Sequence, residues 1–187
     1  KVKYAKSLGI DFIICDHHNP DDELPPAVAV LDPKRDDCEY PYKHLSGCGV
    51  GFKLMQAFSI VNGISFEQLT SLLDLVALSI ASDIVPITGE NRILTFYGLK
   101  QINSNPSTGV KAIIEVSGLK DKEINISDIV FKIGPRINAS GRMKLASEAV
   151  ELLVARDYSF AFERSSTINI YNNDRKDLDK NITDEAL

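Results

Sequence analysis

Tryptophan is absent from this sequence, methionine occurs twice and cysteine three times. Cys15, Cys38 and Cys48 are odd in number and nowhere form a Cys-x-x-Cys pair, which argues against a disulfide framework and against a zinc knuckle. Buried, reduced thiols in a cytoplasmic protein are the expectation. No apolar run approaches the roughly 20 residues that cross a bilayer. Lys1 to Gly9 lacks the long apolar stretch and small-residue cleavage site of a signal peptide. The first residue is not methionine and a helical pattern is already under way there, so the chain reads as a piece of a longer protein. An excess of positive charge is also missing: 21 Lys and Arg against 26 Asp and Glu give a formal net charge of −5. That argues against a surface coated with basic residues for nucleic acid. A local basic groove stays open, because carboxylates that hold metal ions make a chain look more acidic than its working site.

What is present is an ordinary globular balance, 44% hydrophobic and 25% charged over 187 residues, enough to bury one sizeable core. The opening residues 1–9 read as the end of a helix stopped by Gly9. Ile10 to Cys15 and Ala27 to Leu31 read as short strands, with a polar loop from Asn19 to Leu24 between them. A helix, a glycine and an apolar strand make half of a βαβ unit, so the sheet is expected to be parallel with helices on its faces, an α/β fold. Helices follow. One runs from Ser46 or Gly47 to about Asn62. A second, capped by a Ser65–Gln68 box, runs to about Ser82 and is apolar almost all round. Others span Asn91 to Asn103, Gly109 to Val116, Ser127 to Ile133 and Lys144 to Val154. Asp157 caps a last helix whose stretch from Asn172 to Asp184 is nearly all polar and reads as an exposed spacer.

Four strings carry chemistry. Asp16-His17-His18 stands directly after the first strand, where functional groups of parallel sheets gather. Its carboxylate and imidazoles suit Mn²⁺, Fe²⁺ or Zn²⁺, and since consecutive side chains in a turn diverge, one histidine is expected to bind a metal directly. Asp83 closes the most apolar helix. A carboxylate there faces the negative end of the helix dipole, so it is either an ordinary polar helix end or one offset by a cation. Gly134 to Arg142 is punctuated by glycine and proline and reads as a loop, either a solvated connection or one whose Arg136, Asn138, Ser140 and Arg142 present donors to phosphate oxygens. Ser46-Gly47-Cys48-Gly49 opens a helix whose free N–H groups could hold an anion; it does not match a P-loop. His44 reads as a surface residue.

Taken together, Asp16-His17-His18, Leu31-Asp32-Pro33, Ser46 to Leu54, Ala81 to Pro86, Gly89-Glu90-Asn91-Arg92 and Pro135 to Arg142 resemble the RecJ family of single-strand-specific 5′→3′ exonucleases, DHH phosphoesterases of DNA repair and recombination. The resemblance implies a two-metal site loaded with Mn²⁺ or Mg²⁺, with His17 and Asp83 as ligands. His18 would lie near the scissile phosphate and Asp16 would act as a bridging or supporting group. It implies single-stranded DNA as substrate, a single-strand-binding protein and a helicase as partners, and a cytoplasmic setting. Residues 1–156 would be a DHH domain lacking its N-terminal part and 157–187 the helix joining it to a second domain. The family's Asp-x-Asp lies upstream of the triplet, outside this chain, so the piece is expected to be inactive by itself. Arg136 would hold a DNA phosphate, the structural alternative being a brace to Glu148 or Asp157. Rival readings are another DHH phosphoesterase, acting on pyrophosphate, cyclic dinucleotides or short oligonucleotides, and a non-catalytic replication scaffold.

Overall fold

Helix α1 (Val2–Ser7) ends where Gly9 adopts φ of 72°. The amides of Gly9 and Ile10 turn back to Lys6 O and Ala5 O, a Schellman closure that delivers the chain to the first strand. In the computed structural model, which describes residues 1–186, β1 (Ile13–Cys15) and β2 (Ala29–Leu31) pair in parallel with Ile14 opposite Val30. The strands are shorter than the sequence suggests. Ile10 is held by the helix closure, so only Phe12 O, accepting from Val28 N, extends the ladder backwards. On its outer side β2 is closed by Arg35, which donates to Val30 O.

The rest is helical: α2 (Gly47–Val61), α3 (Glu67–Thr70), α4 (Leu73–Ser82), α5 (Gly89–Ser104), α6 (Thr108–Val116), α7 (Ile126–Asp128), a π-helical turn at Ile129–Ile133, α8 (Gly134–Met143), α9 (Ala146–Leu153) and α10 (Tyr158–Ala186). Two apolar cores share α4. Phe52, Leu69, Leu73, Val76 and Ile80 form the smaller one. Ala77, Leu78 and Ala81 join Ile113, Ile129, Ile133, Leu152 and Ile168 in the larger one. α5 lies against α4 so closely that a Cβ on Gly98 would sit 2.3 Å from Leu73 O.

Three local expectations are corrected. The helix expected from Ser65 to Ser82 is broken into α3 and α4, and the Ser65–Gln68 box does not form: Ser65 Oγ accepts from Glu67 N instead. α4 starts afresh because Asp74, fully buried, spends one oxygen on Leu75 N at 2.6 Å and the other on Ser107 N at 2.8 Å, tying its first turn to the start of α6. The cap near residue 127 is Asn125, which forms a reciprocal box with Asp128. The stretch from Gly134 is the helix α8, not a loop. Pro135 stands directly after the π-helical turn, at the start of α8, and Gly134 is small because a Cβ there would lie 2.8 Å from Ser82 Oγ.

α10 also departs from a pure spacer. Ala161, Ser165, Ile168 and Asn172 are buried against the helices before it, so its first half belongs to the core and only the part beyond Asn172 projects. The expected connecting helix reaches residue 187; Leu187 lies outside the described residues. The cysteines are free, yet none is buried: Cys15 and Cys38 are half-buried and Cys48 is exposed. Among the described residues no helix is long and apolar enough to cross a membrane.

Candidate metal centre

The triplet turns sharply out of β1 because Asp16 folds its side chain over the next two residues. Asp16 Oδ1 accepts from His17 N at 2.7 Å, from His18 N at 3.2 Å and from His18 Nδ1 at 2.7 Å. Desolvation works against the ionised carboxyl. The hydrogen bonds from the His18 ring and both backbone N–H groups outweigh it and hold the Asp16 carboxyl below its ordinary value. An ionised carboxylate only accepts, so Nδ1 of His18 carries the proton and Nε2 faces outward. The two rings diverge, tilted by 52° with centroids 4.5 Å apart. His18 is 77% exposed, whereas His17 is turned inward and 15% exposed.

His17 Nε2 faces Asp83 Oδ2 at 3.8 Å, across a separation too long for a hydrogen bond. Asp83 caps the C-terminus of α4, where its amide donates to Ser79 O and its Oδ2 accepts from Ser79 Oγ at 3.2 Å. The opposite partial charge comes from α2, whose first residue, Gly47, lies against His17: a Cβ there would be 3.3 Å from His17 Cδ2. The His17–Asp83 pair thus sits between the negative end of one helix and the positive end of another.

Two donors each about 2.1 Å from one ion can be no more than about 4.2 Å apart, so an imidazole and a carboxylate at 3.8 Å fit a shared divalent cation. They fit as part of a donor set. Among the described residues no cluster of three or more His, Cys, Asp or Glu is arranged to hold a metal. His17 Nδ1 is buried without a hydrogen-bond partner, although a ligating histidine ordinarily donates its second nitrogen to a supporting group.

The remaining residues of interest divide. Ser46 is fully buried and its Oγ accepts from Gly49 N, capping α2. Ser140 is fully buried too, donating to Leu145 O at 2.9 Å to close the end of α8. Both are corrected from substrate contact to helix termination, since their hydroxyls are sealed and used. Asn138 and Arg142 are exposed on α8. Arg136 is half-buried, which pulls its guanidinium down from the ordinary value, and it donates to Asn169 on α10 at 2.9 Å and to Lys132 O at 2.6 Å. The brace is real but runs to an amide, not to Glu148 or Asp157. Gly134 packs on Ser82, so α8 begins beside the residue before Asp83. Sequence reading gave no role to Asn91 or to Asp74, both fully buried. For Asp74 the usable signal was a charged side chain inside an otherwise apolar helix.

Residues 1–80 match the model of the DHH family, N-terminal domain. The whole chain aligns with the single-stranded-DNA-specific exonuclease RecJ of Salmonella typhimurium at 39% identity and with that of Bacillus subtilis at 39%, covering 34% and 23% of those proteins. It therefore spans about a third or less of the curated relatives' length. Among solved structures, RecJ of Thermus thermophilus in complex with Mn²⁺ superposes with a TM-score of 0.83 at 26% identity, over 98% of this chain and 28% of that one. An exonuclease RecJ bound to manganese gives 0.82 at 27%, over 98% and 46%. Residues 1–80 are thus similar to the N-terminal domain of the DHH family, and the whole chain is similar to a part of the RecJ exonucleases.

Proposed function

We propose that this chain forms part of the catalytic domain of a metal-dependent exonuclease that hydrolyses single-stranded DNA from its 5′ end, in DNA repair and recombination. The observation that carries the reading is the convergence of His17 and Asp83 at 3.8 Å from elements far apart in sequence. The names of the relatives and the ions in the solved neighbours support it. His17 and Asp83 would hold Mn²⁺ or Mg²⁺, completed by further ligands to a two-metal site. A divalent ion supplies Lewis acidity for attack of water on phosphorus. Asp16 fixes the His18 ring so that its exposed Nε2 meets the scissile phosphate. Asn138 and Arg142 on α8 would take phosphate oxygens further along the strand, with the unengaged N–H groups of Arg136 beside them. Such contacts place the strand without reading bases, as an exonuclease that accepts any sequence requires. By the same family likeness the setting is the cytoplasm, a single-strand-binding protein and a helicase are the working partners, and α10 beyond Asn172 leads to a second domain.

The test is digestion by the full-length protein that contains this chain. With Mn²⁺, 5′-labelled single-stranded DNA should be degraded at least a hundredfold faster than pyrophosphate, cyclic dinucleotides or dinucleotides. His17→Ala and Asp83→Ala should each abolish it. Faster turnover of a dinucleotide or pyrophosphate would replace the nuclease reading with another phosphoesterase.

A further inference from the structure

Of the strings that carry the family likeness, Gly89-Glu90-Asn91-Arg92 has no part in the site just described. Its asparagine is fully buried. Nδ2 donates to two backbone carbonyls at once, His44 O at 2.6 Å and Pro86 O at 3.0 Å. Only a side-chain NH₂ can stand between two acceptors, so the network itself fixes which way the amide points.

The two carbonyls belong to the two sides of the candidate metal centre. His44 leads through Leu45 to Ser46, the cap of α2, whose Gly47 abuts His17. Pro86 ends the turn that starts at Asp83. Tyr42 adds a second hold: its hydroxyl donates to Pro86 O at 3.1 Å, and its ring occupies the space a side chain at Gly89 would need. Within the turn, Ile84 has φ of 53°, and among the described residues it is the one non-glycine with positive φ. A β-branched residue in that region is strained and persists only where its surroundings impose it. Ile84 is 78% exposed, so its own side chain does not provide the restraint.

We infer that Asn91 is a positioning residue for the metal centre: it ties the strained turn after Asp83 to the segment entering α2 and thereby sets how far the Asp83 carboxylate stands from His17. The inference rests on the reading of that pair as metal ligands. A charged substitute of equal size fails in the role, because a carboxylate has no hydrogen to give two carbonyls.

The experiment is residue-resolved amide hydrogen exchange and histidine-ring NMR on this chain, comparing Asn91→Leu and Tyr42→Phe with the unchanged sequence. The Asp83 amide, bonded to Ser79 O at 2.9 Å, is the reporter, and the Ile80 amide in the body of α4 is the reference. In Asn91→Leu, exchange at Asp83 should accelerate at least tenfold and the His17 ring signals should shift, with Ile80 changed less than twofold. Tyr42→Phe loses one hydroxyl and keeps the ring, so it retains the fold and should show the same pattern at smaller amplitude. It decides the matter alone if Asn91→Leu does not fold. Unchanged exchange at Asp83, or equal acceleration along all of α4, overturns the positioning role. Mn²⁺ added to the full-length protein that contains this chain, where the donor set is complete, is a separate arm: broadening of the His17 signals supports the ligand reading. Its absence removes that reading while the exchange data still decide whether Asn91 holds the turn.

Discussion

A methyl group on Gly47 would lie 3.3 Å from His17 Cδ2, closer than side chains ordinarily pack. Alanine at Gly47 would also gain helix propensity, up to about 1 kcal/mol in a helix interior and less at a first position. Gly47→Ala should therefore leave the melting temperature unchanged or slightly raised while moving the His17 ring by a few tenths of an ångström. In the full-length protein it should lower Mn²⁺-dependent hydrolysis several-fold, measured as kcat with thermal stability beside it. Equal activity would mean the glycine serves only the α2 start. At this scale the triplet was legible because three polar groups at a strand end have little structural use. Asp83 was legible only with its family likeness, since a carboxylate ending a helix is common. Asn91 was not legible, because its acceptors are backbone carbonyls, and one of them, His44 O, lies 47 residues away.

Among the elements, α10 offers the sharpest energetic test. Asn172 is fully buried and neither atom of its amide has a hydrogen-bond partner. Leaving such a group unsatisfied costs about 1–3 kcal/mol, and asparagine is about 0.6 kcal/mol worse than alanine within a helix. The cavity left by a smaller side chain offsets roughly 1 kcal/mol of that gain. Asn172→Ala should then unfold at equal or higher denaturant concentration than the parent, with a net gain of about 1 kcal/mol. A loss of that size would mean that ordered water meets the amide. The helices were mostly readable, since apolar spacing and caps such as Ser46 act locally. α8 was not, because Gly134 and Pro135 signal a loop in sequence. In the structure the glycine clears Ser82 and the proline follows the π-helical turn Ile129–Ile133, which carries the helix across it. The break before α4 was equally hidden, as its cause is a buried Asp74 reaching Ser107, 33 residues on.

For the whole molecule the question is how a chain of net charge −5 would handle a polyanion. Its acidic balance makes binding depend on where the few cations stand. Arg136, Arg142, Lys132 and Lys144 all lie on or beside α8, which packs on α4 and α10. Arg136 and Arg142 differ in attachment: Arg136 ties α8 to Asn169 of α10, whereas Arg142 is exposed at the far end. In the full-length protein, Arg142→Ala should weaken single-stranded DNA binding alike for all sequences. It should also flatten the log–log salt dependence by about 0.7, the release expected for one phosphate contact on a single strand, with no change in melting temperature. Arg136→Ala should lower the melting temperature as well, since truncation leaves the Asn169 amide and the Lys132 carbonyl without their partner. Affinity titrations at several salt concentrations, each paired with a melting curve, separate the two. If Arg136→Ala lowers stability and leaves the salt slope intact, that arginine is a brace alone, and the phosphate contact on α8 falls to Arg142 and Asn138.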